Sequence, residues 1–297
     1  MADYAPIGLS TYTRIEHLRQ TVGALKNNAL AKQTDLYVFS DAPRPGDEQK
    51  VQAVRDFAHQ IKGFRNLVVL ERETNSRVNN NRGGIRQLLE EYGRCIFLEE
   101  DVVTAPGFLS YMNAALSYYE GNEKVLSVGA HSPPLKVTHS YQGDVYFVKR
   151  FHPWGCGFWR YNFDRITALP PVNEVRAEPN LKRNLDRMGT DLYPMVLLEA
   201  GREIDALDIR SCYLMNKEDL YMVIPARTLA RNIGLDGSGA HGVNLDPYAT
   251  GALSGKTAFS FLPEIRLDEA IMKEYQRFYA RPGLIHRLQT RLRRLFN

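Results

Sequence analysis

Three acidic residues, Glu99, Glu100 and Asp101, directly follow the apolar run at 95–98. That run has the length and composition of a buried β-strand, so the carboxylates stand where the strand leaves the core. In open α/β sheets, ligands bind outside the carboxyl ends of the strands, and a carboxylate there can hold a divalent cation that binds a diphosphate. Adjacent carboxylates also repel one another unless a cation or a basic group offsets them. The cluster is therefore a candidate metal site, and a solvated acidic loop with basic neighbours is the alternative.

Strand alternation would distribute the three side chains over two faces. If the strand continues past residue 98, Glu99 and Asp101 point to one side and Glu100 to the other. We therefore predict Asp101 as the metal ligand, with Glu99 near it and Glu100 turned toward the sugar of a bound nucleotide.

The elements around the cluster alternate between strand and helix patterns. A strand at 7–11 precedes a helix at whose start Thr13 and Glu16 form a capping-box pattern. Further strand patterns occupy 36–39, 67–70, 95–98 and 125–129. A polar loop at 71–84 and a short helix precede the acid cluster, and Thr104 has the position of an N-cap for the helix after it. This alternation predicts an α/β fold with a mostly parallel sheet flanked by helices.

Residues 95–115, CIFLEEDVVTAPGFLSYMNAA, resemble glycosyltransferases of the GT-A fold, in particular bacterial sugar transferases related to N-acetylglucosaminyltransferase I and family 2 sugar transferases. Four further stretches agree: PIGLSTYTRIEHL at 6–18, YVFSDAPR at 37–44, HPWGCGFWR at 152–160 and LARNIGLDGSGAH at 229–241. The resemblance implies a Rossmann-like GT-A sheet with an acceptor-binding second half. It also implies an inverting enzyme that uses Mn²⁺ or Mg²⁺ to move a hexosyl or N-acetylhexosaminyl group from a nucleotide diphosphate, UDP first, to a glycan or surface polysaccharide.

Within that family the acidic motif ends in the aspartate that binds the metal, and Asp101 matches it. The commonest motif has aspartate in the middle position, where this chain has Glu100. The longer side chain changes the expected contact with the donor and leaves the Asp101 assignment unchanged.

Other donor-binding candidates lie on the same side of the predicted sheet. Thr11 ends the first strand, and Asp41 follows the second, where it contacts the nucleotide or forms a turn. Arg82, next to Gly83 and Gly84, has a guanidinium suited to phosphate; a surface salt bridge is its alternative. Arg231 belongs to the late stretch and is expected near the diphosphate or the acceptor, with loop anchoring as the alternative.

Two more residues complete the expected chemistry. The family places a catalytic carboxylate after the tryptophan-glycine segment, where Asp191 lies. It would remove the proton from the attacking acceptor hydroxyl, or cap a helix; Glu199, Asp205 and Asp208 are alternative bases. His241, on a glycine-containing loop, would complete the metal site or be an ordinary loop residue.

Three regions are expected along the chain: 1–130 binds the nucleotide sugar, 131–265 binds the acceptor and carries the catalytic base, and 266–297 is a basic amphipathic tail. Five arginines in the tail, interleaved with apolar residues, are typical of a helix on an anionic membrane surface or of a docked terminal helix. They are Arg281, Arg287, Arg291, Arg293 and Arg294.

The composition and the terminal sequence favour a water-soluble protein with reduced cysteines. No apolar stretch approaches the ~20 residues that span a bilayer, and residues 1–10 lack a secretory pattern. We therefore expect a cytoplasmic protein, with peripheral contact at the inner face of the membrane and no nucleic-acid partner. The 3 cysteines are isolated, which indicates reduced thiols. A sugar nucleotidyltransferase and a non-catalytic module that binds polyanions or membranes are the alternative functions.

Overall fold

The fold is described from a computed structural model that covers residues 4–238 and 252–280. Ten strands occur in these residues: β1 (Ile7–Thr11), β2 (Leu36–Ser40), β3 (Leu67–Glu71), β4 (Arg94–Glu99), β5 (Val102–Thr104), β6 (Val125–Gly129), β7 (Val145–Val148), β8 (Cys156–Trp159), β9 (Tyr221–Pro225) and β10 (Ala230–Asn232). The α-helices of the same residues are α1 (Ile15–Lys26), α2 (Glu48–Ala58), α3 (Arg77–Tyr92), α4 (Phe108–Tyr118), α5 (Arg160–Phe163), α6 (Val172–Ala177), α7 (Leu181–Asp186), α8 (Leu192–Ala200), α9 (Leu207–Lys217) and α10 (Glu269–Ala280).

Eight strands form one sheet in the order β3-β2-β1-β4-β8-β6-β9-β7, and β5 pairs with β10 in a separate ribbon. Strands β3, β2, β1 and β4 are mutually parallel, as are β6 and β9. Strands β8 and β7 run antiparallel to their neighbours. The expected α/β class, with a mostly parallel sheet flanked by helices, is confirmed.

Each face of the sheet buries its own apolar cluster because successive strand residues point to opposite sides. In β4, Ile96 and Leu98 belong to the cluster beneath α1, α2 and α4. Cys95 and Phe97 belong to the other cluster, beneath α3 and the helices of the second half. The helices thus cover both faces, and only the strand ends are free to present polar groups.

The first helix begins differently from the sequence prediction. The expected capping box of Thr13 and Glu16 is wrong: α1 starts at Ile15, and Arg14 occupies the cap position with no side-chain cap bond. The predicted cap at Thr104 is also wrong, because Thr104 ends β5 and Gly107 precedes α4. A residue distant in sequence binds the start of α4 instead: the backbone N–H of Leu109 donates to Asn28 Oδ1 at 2.9 Å.

The predicted loop at 71–84 is also wrong in its second part, since α3 already begins at Arg77. The Ser76 side chain accepts the N–H of Asn79 and caps this helix. The run of asparagines and glycines has low helix propensity, but tertiary packing overrides it. A Cβ on Gly84 would lie 2.9 Å from the Phe39 ring, so the glycine lets α3 lie flush on β2.

The segment after 131 supplies three strands of the main sheet. Cys156–Trp159 forms β8, which inserts antiparallel beside β4. Trp159 is buried and donates from Nε1 to the Leu116 carbonyl at 3.2 Å, so this tryptophan is a packing residue of the core. The domain boundary near 130 stays a prediction, and one sheet contains strands from both sides of it.

The last described helix, α10, packs on the second half of the chain through Ile271, Met272, Tyr275 and Tyr279. The five tail arginines lie outside the described residues. No helix within 4–238 or 252–280 is both long and apolar enough to cross a bilayer.

Neighbouring glycines in α3 give a matched test of this packing. We expect Gly84→Ala to destabilise the protein by roughly 1–3 kcal/mol through overpacking against Phe39, offset in part by the gain in helix propensity. A Cβ on Gly83 meets nothing within 4 Å, so Gly83→Ala should stabilise by about 0.5–1 kcal/mol. Urea unfolding of both variants measures the difference. Equal effects of the two would contradict the close approach at Gly84.

Candidate active site

The acid cluster lies at the carboxyl end of β4, beside the carboxyl ends of β1 and β2. The strand ends at Glu99, and Glu100 and Asp101 form a turn before β5. The predicted alternation therefore fails, because the backbone is not extended beyond Glu99. Glu100 and Asp101 share one partner, and Glu99 has a different environment.

That shared partner is Arg14, whose guanidinium clamps the two carboxylates. Arg14 Nε lies 2.9 Å from Glu100 Oε1, and Nη2 lies 2.7 Å from Asp101 Oδ2. The backbone N–H of Tyr12 also donates to Glu100 Oε2 at 2.6 Å. Burial would lower the pKa of Arg14, but the Asp101 and Glu100 carboxylates outweigh it and raise that pKa. Burial raises the pKa of Glu100 despite these donors.

Asp101 keeps one oxygen unused. Its side chain is nearly inaccessible, and Oδ1 is a buried atom without a hydrogen-bond partner. A buried carboxylate oxygen in this state is costly unless a ligand satisfies it. This orphaned acceptor fits a divalent cation. Among residues 4–238 and 252–280 there is no ready-made group of three or more acidic, histidine or cysteine ligands. The described residues therefore supply fewer than three such ligands around Asp101, and His241, the other predicted ligand, lies outside the described residues.

Glu99 is held by α3 instead of by Arg14. Asn81 Nδ2 donates to Glu99 Oε1 at 2.9 Å, and Ser10 donates to Asn81 Oδ1. Burial, and then the Asp101 charge, raise the pKa of Glu99, whereas Arg77 opposes the rise. Glu99 therefore connects the end of β4 to the first turns of α3.

The short ribbon of β5 and β10 closes the cluster from the other side. Arg231 is opposite Val103 in this ribbon, and the Ile233 N–H donates to the Asp101 carbonyl at 2.8 Å. A Cβ on Gly234 would lie 2.2 Å from Asp101 Oδ2, so only glycine fits. The late stretch of the chain thus contacts the acid cluster, as the sequence resemblance implied, and Arg231 is half-buried nearby.

Thr11 and Asp41 lie on the same sheet edge. Thr11 Oγ1 is buried and has no hydrogen-bond partner, which leaves it available to a ligand. Asp41 accepts the backbone N–H groups of Ala42 and Ser76, each at 2.9 Å, and an Asn75 amide N–H at 3.3 Å. Asp41 therefore fastens the loop before α3 to the end of β2, the role of a turn residue; a ligand contact by this side chain stays a prediction.

Arg82 lies inside α3, not on a glycine loop, and its guanidinium forms an ion pair with Asp205. Asp205 is also 2.9 Å from Arg210 Nη2, and Arg210 pairs with the buried Glu199. Two of the alternative bases are therefore tied to guanidinium groups. The Arg82 pair also brings the segment before α9 over α3.

Asp208, in the first turn of α9, lies close to the end of β4. Arg77 and Cys156 each interact electrostatically with both Asp208 and Glu99, and Cys156 is paired with Phe97 in the sheet. Burial raises the pKa of Asp208, opposed by the backbone N–H of Ile209. The residue is half-buried, and no side chain in the described residues bonds to its carboxylate.

Asp191 is placed before α8 as predicted, but its side chain caps nothing. Both carboxylate oxygens bind Arg150, at 2.9 Å from Nη1 and 2.7 Å from Nη2. The Arg150 guanidinium also stacks 3.7 Å from the centroid of the Tyr279 ring in α10. Arg150 thus connects Asp191, at the start of α8, to Tyr279 of α10. The catalytic role predicted for Asp191 stays a prediction.

The other tryptophan of the 152–160 stretch, Trp154, contacts a buried histidine that bonds to β10. Its ring meets His131 edge to face at 4.5 Å. His131 donates from Nδ1 to the Ala230 carbonyl at 3.1 Å, and burial lowers its pKa to about 4. It is therefore neutral at physiological pH and links β6 to the ribbon.

A separate cleft of about 840 Å³ lies at the opposite sheet edge, lined by Pro6, Gly93 and Arg94 near the amino ends of β1 and β4. Ligands of open α/β sheets bind at the carboxyl ends. Two buried side-chain oxygens without a hydrogen-bond partner, Thr11 Oγ1 and Asp101 Oδ1, also lie at the carboxyl ends, so the acid cluster is the better candidate.

No protein-family model matches this chain, and no curated protein does either. Solved structures resemble it distantly. The mannosyltransferase PcManGT from Pyrobaculum calidifontis, in complex with GDP-Man and Mn²⁺, is 13% identical with a TM-score of 0.37, over 56% of this chain and 48% of that one. TarS from S. aureus is 11% identical with a TM-score of 0.43, over 78% and 37%. The glycosyltransferase GlyE from Streptococcus pneumoniae is 10% identical with a TM-score of 0.37, over 74% and 44%. This chain therefore spans half or less of these proteins, and similarity at this level assigns no family.

Removal of the Arg14 clamp should destabilise the fold in a pH-dependent way. Arg14→Gln leaves two buried carboxylates uncompensated, at a cost of about 3 kcal/mol near neutral pH. The change raises the folded-state pKa of Glu100 further above its unfolded value. A group shifted in this direction contributes stability at low pH that is lost as pH rises through the folded pKa. The deficit should therefore be larger at pH 8 than at pH 5.

Urea unfolding at both pH values measures this deficit. Arg19→Gln is the control, since Arg19 is on the same helix and contacts no buried carboxylate. It makes an exposed 3.7 Å pair with Glu16 and lies 4.7 Å from the centroid of the Phe57 ring, contacts worth about 1 kcal/mol together and independent of pH between 5 and 8. A deficit independent of pH would show that Arg14 acts through packing and not through charge.

Proposed function

We propose that this protein is an inverting, metal-dependent glycosyltransferase that moves a sugar from a nucleotide diphosphate onto a glycan acceptor, and that the nucleotide is UDP. The observation that carries the proposal is the buried, unpartnered Oδ1 of Asp101 at the carboxyl edge of a mostly parallel sheet. The sequence resemblance to the GT-A family points to the same residue.

The donor would lie across the ends of β1, β2 and β4. Thr11 Oγ1 is a buried hydroxyl free to bond the nucleotide, and Arg231, in the ribbon that closes the cluster, is suited to phosphate. Arg14 would remain beside the diphosphate and add positive charge. These are the binding roles that the geometry supports.

Asp101 would hold the cation, with diphosphate oxygens supplying further ligands, as carboxylate sites for Mg²⁺ and Mn²⁺ do. When bound, the ion neutralises the charge that develops on the departing diphosphate. Glu99 would add negative charge next to it, and Asn81 would keep that carboxylate in place.

We assign the general base to Asp208 in place of Asp191. The acceptor hydroxyl oxygen attacks the anomeric carbon, the bond to the diphosphate breaks with its electron pair, and the hydroxyl proton passes to the Asp208 carboxylate. Attack on the side opposite the diphosphate inverts the anomeric configuration. Asp208 suits this role because burial makes it more basic, whereas the carboxylate of Asp191 is held on both oxygens by Arg150.

Donor binding should depend on both metal and Asp101. In a thermal-shift panel of UDP, GDP and dTDP sugars with and without Mn²⁺, we expect one donor class to raise Tm only when metal is present, because a ligand that binds the folded state stabilises it. Asp101→Asn should abolish that shift and sugar transfer. Asp56→Asn, on the exposed side of α2, is the control. A metal-dependent shift that survives Asp101→Asn would overturn the metal assignment.

The two candidate bases should separate kinetically. Asp208→Asn should lower kcat by about 10²–10⁴-fold with little change in KM. In the unchanged protein, kcat should fall as pH drops through a pKa above the ordinary aspartate value, because Asp208 must be ionised to accept the proton. Asp191→Asn should mainly lower Tm, since it leaves the buried Arg150 unpaired. A loss of kcat in Asp191→Asn with normal turnover in Asp208→Asn would return the base to Asp191.

A further inference from the structure

A second, positively charged cleft lies away from the acid cluster, among the helices of the second half. It has a volume of about 490 Å³ and is lined by residues around α6, α7, α8 and α10. Four lining residues are cationic, Arg176, Lys182, Arg183 and Arg187, and two are acidic, Glu178 and Asp186. The proposed donor chemistry uses none of them.

The charges in this cleft are not balanced internally. Asp186 is 2.5 Å from Lys182, and Glu178 is 3.0 Å from Lys217, outside the cleft. Arg187 pairs with Glu269 of α10 at 2.8 Å. Both acidic side chains of the cleft are thus already engaged by lysines.

Two guanidinium groups are left over. Arg176 and Arg183 are exposed and make no ion pair or hydrogen bond with any side chain of residues 4–238 or 252–280. A pair of unpartnered guanidiniums on the wall of one cleft is suited to bidentate binding of carboxylate, phosphate or sulfate groups.

The remaining lining indicates a sugar as the carrier of those anionic groups. Tyr193 presents an aromatic ring, with Lys182 Nζ 5.8 Å from its centroid, and Asn180 and Gln276 present side-chain amides. Aromatic faces pack against sugar rings, and amides bond hydroxyl groups. An inorganic ion would use only the arginines.

A bilayer surface fits this cleft less well. Surface binding to membranes needs apolar side chains that insert beside the cations. Of the described residues, the large hydrophobic side chains that are well exposed are Tyr118 and Tyr161, and neither lines this cleft. Its concave shape also admits a chain more readily than a flat surface.

We propose that this cleft binds an anionic glycan, a sugar chain bearing carboxylate or phosphate groups, and that this is the acceptor of the transferase. The acceptor role rests on the proposed function; the binding itself does not. Helices α7 and α8, which line the cleft, both pack on α9, whose first turn carries Asp208. A chain held in the cleft would therefore be attached to the same helical layer as the candidate base.

The test is binding without any donor. Oligogalacturonate, neutral maltooligosaccharide of equal length, inorganic phosphate and phosphatidylglycerol vesicles are titrated into the full chain at low and high salt. We expect oligogalacturonate to bind and to weaken with salt, and maltooligosaccharide not to bind. Arg176→Gln with Arg183→Gln should weaken oligogalacturonate binding by about tenfold at low salt. Arg86→Gln with Arg266→Gln removes equal charge at exposed sites and should leave it unchanged.

Several results would overturn the proposal. Equal oligogalacturonate affinity of the two double variants would exclude the cleft, and tight binding of maltooligosaccharide would exclude anion recognition. Arginine-dependent binding of phosphate alone or of vesicles, without oligogalacturonate, would reassign the cleft to a small anion or to a lipid surface. If the protein binds oligogalacturonate but no nucleotide sugar, the proposed glycan binding in the cleft stands and the proposed glycosyltransferase function is wrong.

Discussion

The structure depends on the neutralisation of two buried carboxylates by one guanidinium. Glu100 and Asp101 are only 4% and 6% exposed, and burial of charges without partners costs several kcal/mol. Arg14 contacts both carboxylates from the position just before α1. The start of α1, the turn after β4 and the ribbon of β5 and β10 are therefore held together at this point. The clamp leaves one Asp101 oxygen unsatisfied, and this residual cost is what a ligand can recover on binding.

Helix α3 extends this constraint from the acid cluster to the second half of the chain. Its Asn81 holds Glu99, and its Arg82 holds Asp205, so consecutive residues connect the end of β4 to the start of α9. Gly84 lets the same helix pack closely against Phe39 of β2. The position of Asp208 near Glu99 is therefore a consequence of how α3 packs, because Asp205 and Asp208 flank the same turn.

The sequence predicted those parts of the fold that follow from local pattern. Strands β1, β2, β3, β4 and β6 appear where the apolar runs placed them, and all but β3 are buried on both faces. The start of α1 was wrong because Arg14 is recruited by carboxylates 86 and 87 positions away, which no local pattern contains. Strand β8 was missed because its Cys-Gly-Phe-Trp sequence becomes a strand only between β4 and β6.

Our proposal of Asp208 as the base likewise rests on contacts that no local pattern contains. Asp191 and Asp208 both lie near the start of a helix, so the local sequence does not distinguish them. They differ in whether an arginine that is distant in sequence binds the carboxylate. Arg150 neutralises Asp191, Arg210 neutralises Glu199, and Arg82 with Arg210 neutralises Asp205. Burial raises the pKa of Asp208, and no guanidinium bonds to its carboxylate in the described residues. Long-range pairing thus ties three of the four candidate carboxylates to guanidinium groups, and this difference is the basis on which we propose Asp208 as the base.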